Sequence, residues 1–182
     1  MPADSYEEVR FSSIDKGIEI DAWSIPSRKN IDSAAVVVVH GINTSRKDFT
    51  APLPAVMLSH SGLNVLLMDL RDSGGSTCEA GRHSAGQNEA NDVLAAVYWL
   101  RGKHDIPPAG IGIHGVSGGA IAALVVADRS DAVAAFSLEA PIFDFDEAAK
   151  QEVRYQGFPE FLWQAAYWAA RLRGVDLRAI EA

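Results

Sequence analysis

The sequence is poor in cysteine and has no long apolar run, and each shortage excludes a class of protein. Cys78 is the single cysteine among 182 residues, so neither an internal disulfide nor a thiolate metal cluster can form. The longest apolar stretches are too short to span a bilayer, and the opening segment MPADSYEEV is acidic, without the apolar core of a secretory signal. These shortages favour a cytoplasmic protein without a membrane segment.

Basic clusters are missing as well. The 16 Lys and Arg residues are scattered and outnumbered by 24 Asp and Glu residues, which gives a net charge of -8. This balance argues against a nucleic-acid partner, because such partners need a basic surface. Metal and cofactor sites are not expected either, since no His, Asp or Glu pair has ligand spacing such as H-E-x-x-H.

The composition, 48% hydrophobic and 22% charged, is typical of a globular protein. A chain of this length can bury about 70% of its unfolded surface, so residues 1–182 are expected to form a single domain.

The pattern of apolar residues alternates between strand and helix periods. Residues on both sides of Asp15-Lys16-Gly17 alternate, which predicts an opening β-hairpin. The predicted order then runs through strand Ala34–His40, helix Pro52–Gly62, strand Asn64–Leu70, helix Ala90–Gly102, strand Ile111–His114, helix Gly118–Asp128, strand Ala132–Ala140 and helix Pro159–Arg173. Such an order predicts a mostly parallel α/β sheet with helices on both faces.

Two local patterns support these helices. Leu53, Val56 and Met57 fall on one face of the first, and Ser84 with Gln87 has the spacing of a capping box before the second. The segment from Phe143 to Phe158 breaks the rhythm. Residues 143–174 are therefore either the start of a cap over a pocket or an ordinary amphipathic helix with its lead-in.

The motif Gly115-Val116-Ser117-Gly118-Gly119 fits G-x-S-x-G and lies between a predicted strand and a predicted helix. A nucleophilic serine needs such a sharp turn, and Gly115 and Gly119 are small enough to let the two backbones approach. The helix N-terminus favours developing negative charge. The alternative interpretation is an ordinary glycine-rich turn.

A dinucleotide fingerprint overlaps this motif, because Gly110, Gly112 and Gly115 spell G-x-G-x-x-G. The fingerprint should follow a strand and open a helix. Here a proline-containing loop precedes it and Ile111–His114 is itself the strand, so we reject a nicotinamide site.

Three sequence blocks together resemble the α/β-hydrolases, close to their serine aminopeptidase-like group of esterases. They are His40-Gly41 after a VVVV strand, the segment Asp69–Ser76 with the pattern D-x-R-x-x-G-x-S, and Gly115–Gly119. The resemblance runs from about Tyr6 to the last residue, and it implies an α/β-hydrolase fold.

The resemblance also implies chemistry. Ser117 would be the nucleophile of a cofactor-free serine hydrolase that acts on carboxylic esters, or on amides or small peptides, through an acyl-enzyme. The backbone N–H groups of Ile42 and Gly118 would form the oxyanion hole, with the Asn43 side chain as an additional donor. The alternative is that Gly41–Asn43 is simply a turn that leaves a strand.

The family places its catalytic acid after a seventh strand and its histidine after an eighth, whereas six strands are predicted here. We therefore expect a fragment that is inactive alone and lacks its final strands. Asp144 is either an alternative acid or a solvated carboxylate. Five histidines are weak candidates for the base: His40 as a structural hydrogen-bonding residue, His114 as a packed strand residue, His60 at a helix end, and His83 and His104 in loops.

A second function stays open: a non-catalytic α/β-hydrolase-like module that binds a ligand or partner without a triad. Fold alone does not decide between the two.

Overall fold

The computed structural model describes residues 6–29, 34–104, 106–142 and 144–172. The chain divides into two compact units, Met1–Pro141 and Ile142–Ala182. The proposed cap segment 143–174 falls within the second unit, and its role stays a prediction.

The first unit is built on a six-stranded sheet in the order β1-β2-β4-β3-β5-β6. β1 pairs antiparallel with β2 and β2 antiparallel with β4, while the pairs β4–β3, β3–β5 and β5–β6 are parallel. The predicted hairpin and the mostly parallel α/β sheet are therefore confirmed. The strands are β1 Glu7–Ser12, β2 Glu19–Ile25, β3 Ala35–Val39, β4 Asn64–Met68, β5 Ile111–Val116 and β6 Ala135–Glu139.

The centre of the sheet is the core of this unit. All five residues of β4 are buried, and four of the five in β3 are buried, as expected for parallel strands covered on both faces. β6 is an edge strand, and its side chains are mostly exposed.

The α-helices described in this unit are α1 Pro52–Ser61, α2 Glu89–His104 and α3 Gly118–Arg129. α1 ends at Gly62 in the left-handed conformation, as predicted. The residues that α1 buries are not the ones whose spacing predicted it. Ala55 and Ser59 are buried, whereas Leu53 and Met57 are 49% and 62% exposed. Ala55 packs in a core cluster with strand residues, and the Ser59 hydroxyl donates to the Pro26 carbonyl (2.7 Å).

The predicted capping box between Ser84 and Gln87 was also wrong as the start of α2. The helix begins at Glu89, whose buried carboxylate accepts the backbone N–H groups of Ser84 (2.8 Å) and Gly86 (3.0 Å). The Ser84 hydroxyl donates to the same carboxylate. This carboxylate therefore fixes the loop that leads into α2.

The second unit contains α4 Phe145–Tyr155, a 3₁₀ turn at Glu160–Leu162 and α5 Trp163–Leu172. α4 was not predicted, although its signals are local: the Asp144 carboxylate accepts the Glu147 N–H (2.8 Å) as an N-cap, and acidic residues occupy the first turn. Asp144 is therefore a helix cap. Within this unit the Lys150 ammonium lies 5.3 Å from the centroid of the Trp163 ring.

Candidate active site

Ser117 lies in the sharp turn between β5 and α3. It has φ 50° and ψ -113°, which places a non-glycine residue in a sparsely populated backbone region. Its N–H donates to the Glu139 carbonyl of β6 (2.8 Å), and its carbonyl accepts the Ile121 N–H of α3 (3.1 Å). Such strain persists only where the surroundings enforce it, and it clusters at functional sites.

Two glycines make this turn possible. A Cβ at Gly115 would lie 2.5 Å from the Gly119 carbonyl oxygen, and a Cβ at Gly119 would lie 2.5 Å from the Val39 carbonyl oxygen. All the atoms nearest to either position are backbone atoms, which cannot swing aside. The two glycines therefore allow β5, α3 and the end of β3 to approach at backbone contact.

This crowding gives a stability prediction. Gly119→Ala should lower the free energy of unfolding by about 1–3 kcal/mol or more, because the new methyl group overpacks a site lined by backbone. Gly102→Ala is the matched control, since a Cβ at that α2 position meets nothing within 4 Å. The control should be neutral or stabilising by up to about 1 kcal/mol. Urea unfolding of both variants measures the difference, and equal stabilities would contradict the close approach.

The segment after β3 passes directly beside Ser117. A Cβ at Gly41 would lie 3.4 Å from the Ser117 Cβ and 3.9 Å from its Oγ. A Cβ at Gly118 would lie 3.1 Å from the Ile42 backbone nitrogen. Gly118 is the first residue of α3, so its N–H has no acceptor within the helix. Asn43 then turns the chain away at φ 59°. The structure therefore brings together Ser117, Ile42 and Gly118.

His40 joins the ends of two strands. Its Nδ1 donates to the Gly41 carbonyl (2.7 Å), and its Nε2 accepts the Leu70 N–H (3.1 Å). Burial lowers the pKa of His40, with the Gly41 hydrogen bond and the Asp69 charge opposing that shift in part. Both ring nitrogens are thus occupied, and the imidazole fixes the geometry of the turn at Gly41.

Asp69 and Arg46 tie the chain beyond this turn to the loop after β4. The buried Asp69 carboxylate pairs with the Arg46 guanidinium and accepts the backbone N–H groups of Arg46 (2.7 Å) and Gly75 (2.8 Å). The Arg46 guanidinium carbon also lies 5.4 Å from the centroid of the Trp23 ring. The segment that carries Ile42 is therefore anchored on its C-terminal side.

Arg71 and Asp72 also hold the loop after β4 in place. Arg71 pairs with the buried Asp92 of α2, and the Asp72 carboxylate accepts the N–H groups of three consecutive residues, Glu79 to Gly81 (2.6–2.9 Å). Burial acts to raise the pKa of Asp72, but these hydrogen bonds outweigh it and lower that pKa. Asp69, Arg71 and Asp72 thus brace the loop after β4.

The other histidines differ in their relation to the site. His60 is exposed on α1, His104 ends α2, and His114 shares a hydrogen bond of 3.0 Å with the Ser137 hydroxyl of β6. His83 was predicted to be a loop residue and a weak candidate for the base. It lies in a loop, but its Nε2 would lie 3.2 Å from a Cβ at Gly118. No local sequence signal indicates that approach.

Within the described ranges, no group of three or more His, Cys, Asp or Glu residues could hold a metal ion. Among the helices that the structure describes, none is both long and apolar enough to cross a membrane.

The sheet order and the strand-turn-helix geometry at Ser117 define an α/β-hydrolase type of protein. Residues 50–175 match the prolyl oligopeptidase family, and the chain belongs to that family. The α/β-hydrolase resemblance drawn from the sequence is thereby confirmed.

Solved and curated relatives agree with this class. An esterase of Pyrococcus furiosus, Pf2001, superposes with a TM-score of 0.71 at 25% identity, over 90% of this chain and 64% of that one. An uncharacterized protein of Mycobacterium tuberculosis is 39% identical over 61% of this chain and 37% of its own length. The polyketide transferase ATR5 of Stachybotrys chlorohalonatus is 30% identical over 76% of this chain. This chain spans 46% of that transferase, so it covers less than half of either curated relative.

Proposed function

We propose that Ser117 is the nucleophile of a serine hydrolase that acts on carboxylic esters or amides through an acyl-enzyme. The strained conformation of Ser117, at φ 50° on a turn whose flanking glycines leave no room for side chains, is the observation that carries this proposal. That turn exposes the hydroxyl of a nucleophile at the end of a strand. A non-catalytic glycine-rich turn has no need of a strained serine.

The proposed reaction uses the groups gathered around Ser117. Its Oγ attacks the acyl carbon, a base takes the hydroxyl proton, and the carbonyl oxygen becomes negatively charged. The N–H groups of Ile42 and Gly118 donate to that oxygen, and the positive end of α3 adds to the stabilisation. The leaving alcohol or amine departs, and water then cleaves the acyl-enzyme.

The proposal assigns the base and its acid to parts of the protein outside the described residues. Within those residues both nitrogens of His40 are bonded, His114 is hydrogen-bonded to Ser137, and Asp144 caps a helix. The curated relatives are longer than this chain, which is compatible with a base from elsewhere in the whole protein.

The printed names of the relatives favour esters as the substrates. Pf2001 is called an esterase, and a 31% identical protein of Aspergillus aculeatus is called a thiohydrolase. Ester hydrolysis breaks a bond at the acyl carbon, and a serine with nearby backbone donors supports that step. A short-chain p-nitrophenyl ester is therefore a suitable test substrate.

The test is covalent labelling of the whole natural polypeptide with a fluorophosphonate. The Ser117 Oγ–P bond should form as fluoride leaves, and mass spectrometry should place the adduct on Ser117. An unlabelled protein that also fails to cleave the ester would favour the alternative, a non-catalytic binding module.

The oxyanion donors can be tested one at a time. Ile42→Pro removes a backbone N–H and should lower kcat by about a hundredfold or more. Ile42→Val retains that N–H and is the matched control, with kcat expected to stay near the parent value. Circular dichroism must show that both variants fold. A folded Pro variant with unchanged kcat would place the hole elsewhere.

A further inference from the structure

His83 is held in one tautomer by its own loop. The Ala85 backbone N–H donates to the His83 Nδ1 (3.1 Å), so Nδ1 is the acceptor nitrogen and the ring proton sits on Nε2. Burial lowers the pKa of His83, although the charges of Glu89 and Asp72 oppose the shift, which favours the neutral ring with this single proton.

The loop that carries His83 is fixed against the helix that follows Ser117. Glu89 accepts the N–H groups of Ser84 and Gly86, and a Cβ at Gly86 would lie 3.0 Å from the Ala122 nitrogen of α3. The His83 side chain is only 15% exposed. The imidazole is therefore presented by a packed loop.

The His83 Nε2 lies beside Gly118 and the Ile42 side chain. A Cβ on Gly118 would lie 3.2 Å from the His83 Nε2 and 3.1 Å from the Ile42 nitrogen, with the Ile42 side chain beside it. The Nε2 atom is buried and has no hydrogen-bond partner among the described residues. Buried donors in folded proteins are almost always paired, and an acceptor bound beside Ile42 and Gly118 would satisfy this one.

We propose that His83 is a substrate-contacting residue whose Nε2–H donates to the carbonyl oxygen of the acyl group, as a third donor beside Ile42 and Gly118. The inference rests on the proposed function. It requires no proton transfer by His83, because the oxygen receives a hydrogen bond and the proton stays on Nε2. The acceptor is an uncharged ester or amide carbonyl in the bound state and an oxyanion once Ser117 has added.

Geometry separates this role from that of a general base. A base must accept the Ser117 proton at a free nitrogen, but Nε2 carries the hydrogen and Nδ1 already accepts from Ala85. Because Nε2 has no partner among the described residues, the Ser117 hydroxyl makes no hydrogen bond to it in this structure. In the proposed role the imidazole donates to the carbonyl oxygen and takes no proton from the attacking hydroxyl.

The test compares two His83 variants with a control in the whole natural polypeptide. His83→Leu removes the donor and should lower both kcat for the p-nitrophenyl ester and the fluorophosphonate labelling rate, by about tenfold to a hundredfold. His83→Gln retains an N–H donor and should recover part of that loss. His60→Leu, at an exposed position on α1, should change neither rate.

Each outcome separates the inference from the proposed function. If the parent protein is not labelled at Ser117, the proposed function fails and this inference fails with it. If the parent is labelled and His83→Leu reacts at the parent rate, the inference alone is overturned. If the Gln variant is as inactive as the Leu variant and both lose the acidic limb of the kcat/KM profile, His83 is the base. Thermal unfolding of each variant shows whether a loss comes from misfolding.

Discussion

Ser117→Ala is expected to abolish fluorophosphonate labelling and to lower kcat for ester cleavage by about 10⁴-fold or more. The hydroxyl is the atom that forms the acyl-enzyme in the proposed mechanism, so its removal leaves only what the backbone donors and substrate binding contribute. Ser61→Ala is the matched control. Its exposed hydroxyl donates to the Met57 carbonyl (2.9 Å) on α1, and its loss should leave labelling and kcat unchanged.

The Ser117 test separates chemistry from folding. The alanine variant keeps the backbone hydrogen bonds to Glu139 and Ile121, so its unfolding midpoint should stay close to that of the parent protein. Labelling that persists in the folded alanine variant would place the nucleophile on another residue.

The parts of the fold that were predictable depend on local patterns. Five apolar residues in β3 and the turn at Gly17 are sufficient to indicate a buried parallel strand and a hairpin, and the structure contains both. The elbow was predictable for a similar reason. Gly115 and Gly119 are close in sequence to Ser117, and the need for small residues follows directly from the sharp turn.

The parts that could not be predicted are set by contacts between distant segments. His83 lies 34 residues before Ser117, and only the packing of its loop on α3 brings the imidazole beside Gly118. The start of α2 depends on a carboxylate, Glu89, that reaches back to two N–H groups, whereas the sequence offered the apparent capping pair Ser84 and Gln87. α4 was missed although Asp144 and Glu147 form a local cap, because the segment from Phe143 to Phe158 breaks the rhythm of the apolar pattern.

Two buried carboxylates, Asp69 and Asp92, hold the loops around the site in place. Asp69 fastens the segment after Ile42, and Asp92 fastens the loop after β4 to α2. The two loops meet at the carboxyl ends of β3 and β4, where ligands bind in open parallel sheets. The stability of this edge therefore rests on ion pairs as well as on apolar packing.

Asp92→Ala is expected to have the largest effect on stability. Its fully buried carboxylate accepts from the Arg71 backbone N–H (3.1 Å), the Arg71 Nε (3.0 Å) and a terminal guanidinium nitrogen of Arg71 (2.7 Å), and from the Ser13 hydroxyl (2.6 Å). Burial disfavours the charge of Arg71, but the hydrogen bonds and charge of Asp92 outweigh it and raise the pKa of Arg71. Removing the partner leaves a cation that is 98% buried with less compensation.

Breaking a buried pair by removing one partner costs about 3–5 kcal/mol, whereas exposed pairs contribute about 0–1 kcal/mol. Glu7→Ala is the matched control, because Glu7 pairs with Lys103 (2.8 Å) at a position where the Glu7 side chain is 66% exposed. The free energies of unfolding of the two variants, measured in urea, should differ by at least about 2 kcal/mol. Added salt should weaken the contribution of Glu7 and leave that of Asp92 nearly unchanged, because screening acts on exposed charges. Equal losses for the two variants would mean that Asp15 and Glu79, which also pair with Arg71, are sufficient to hold the loop without Asp92.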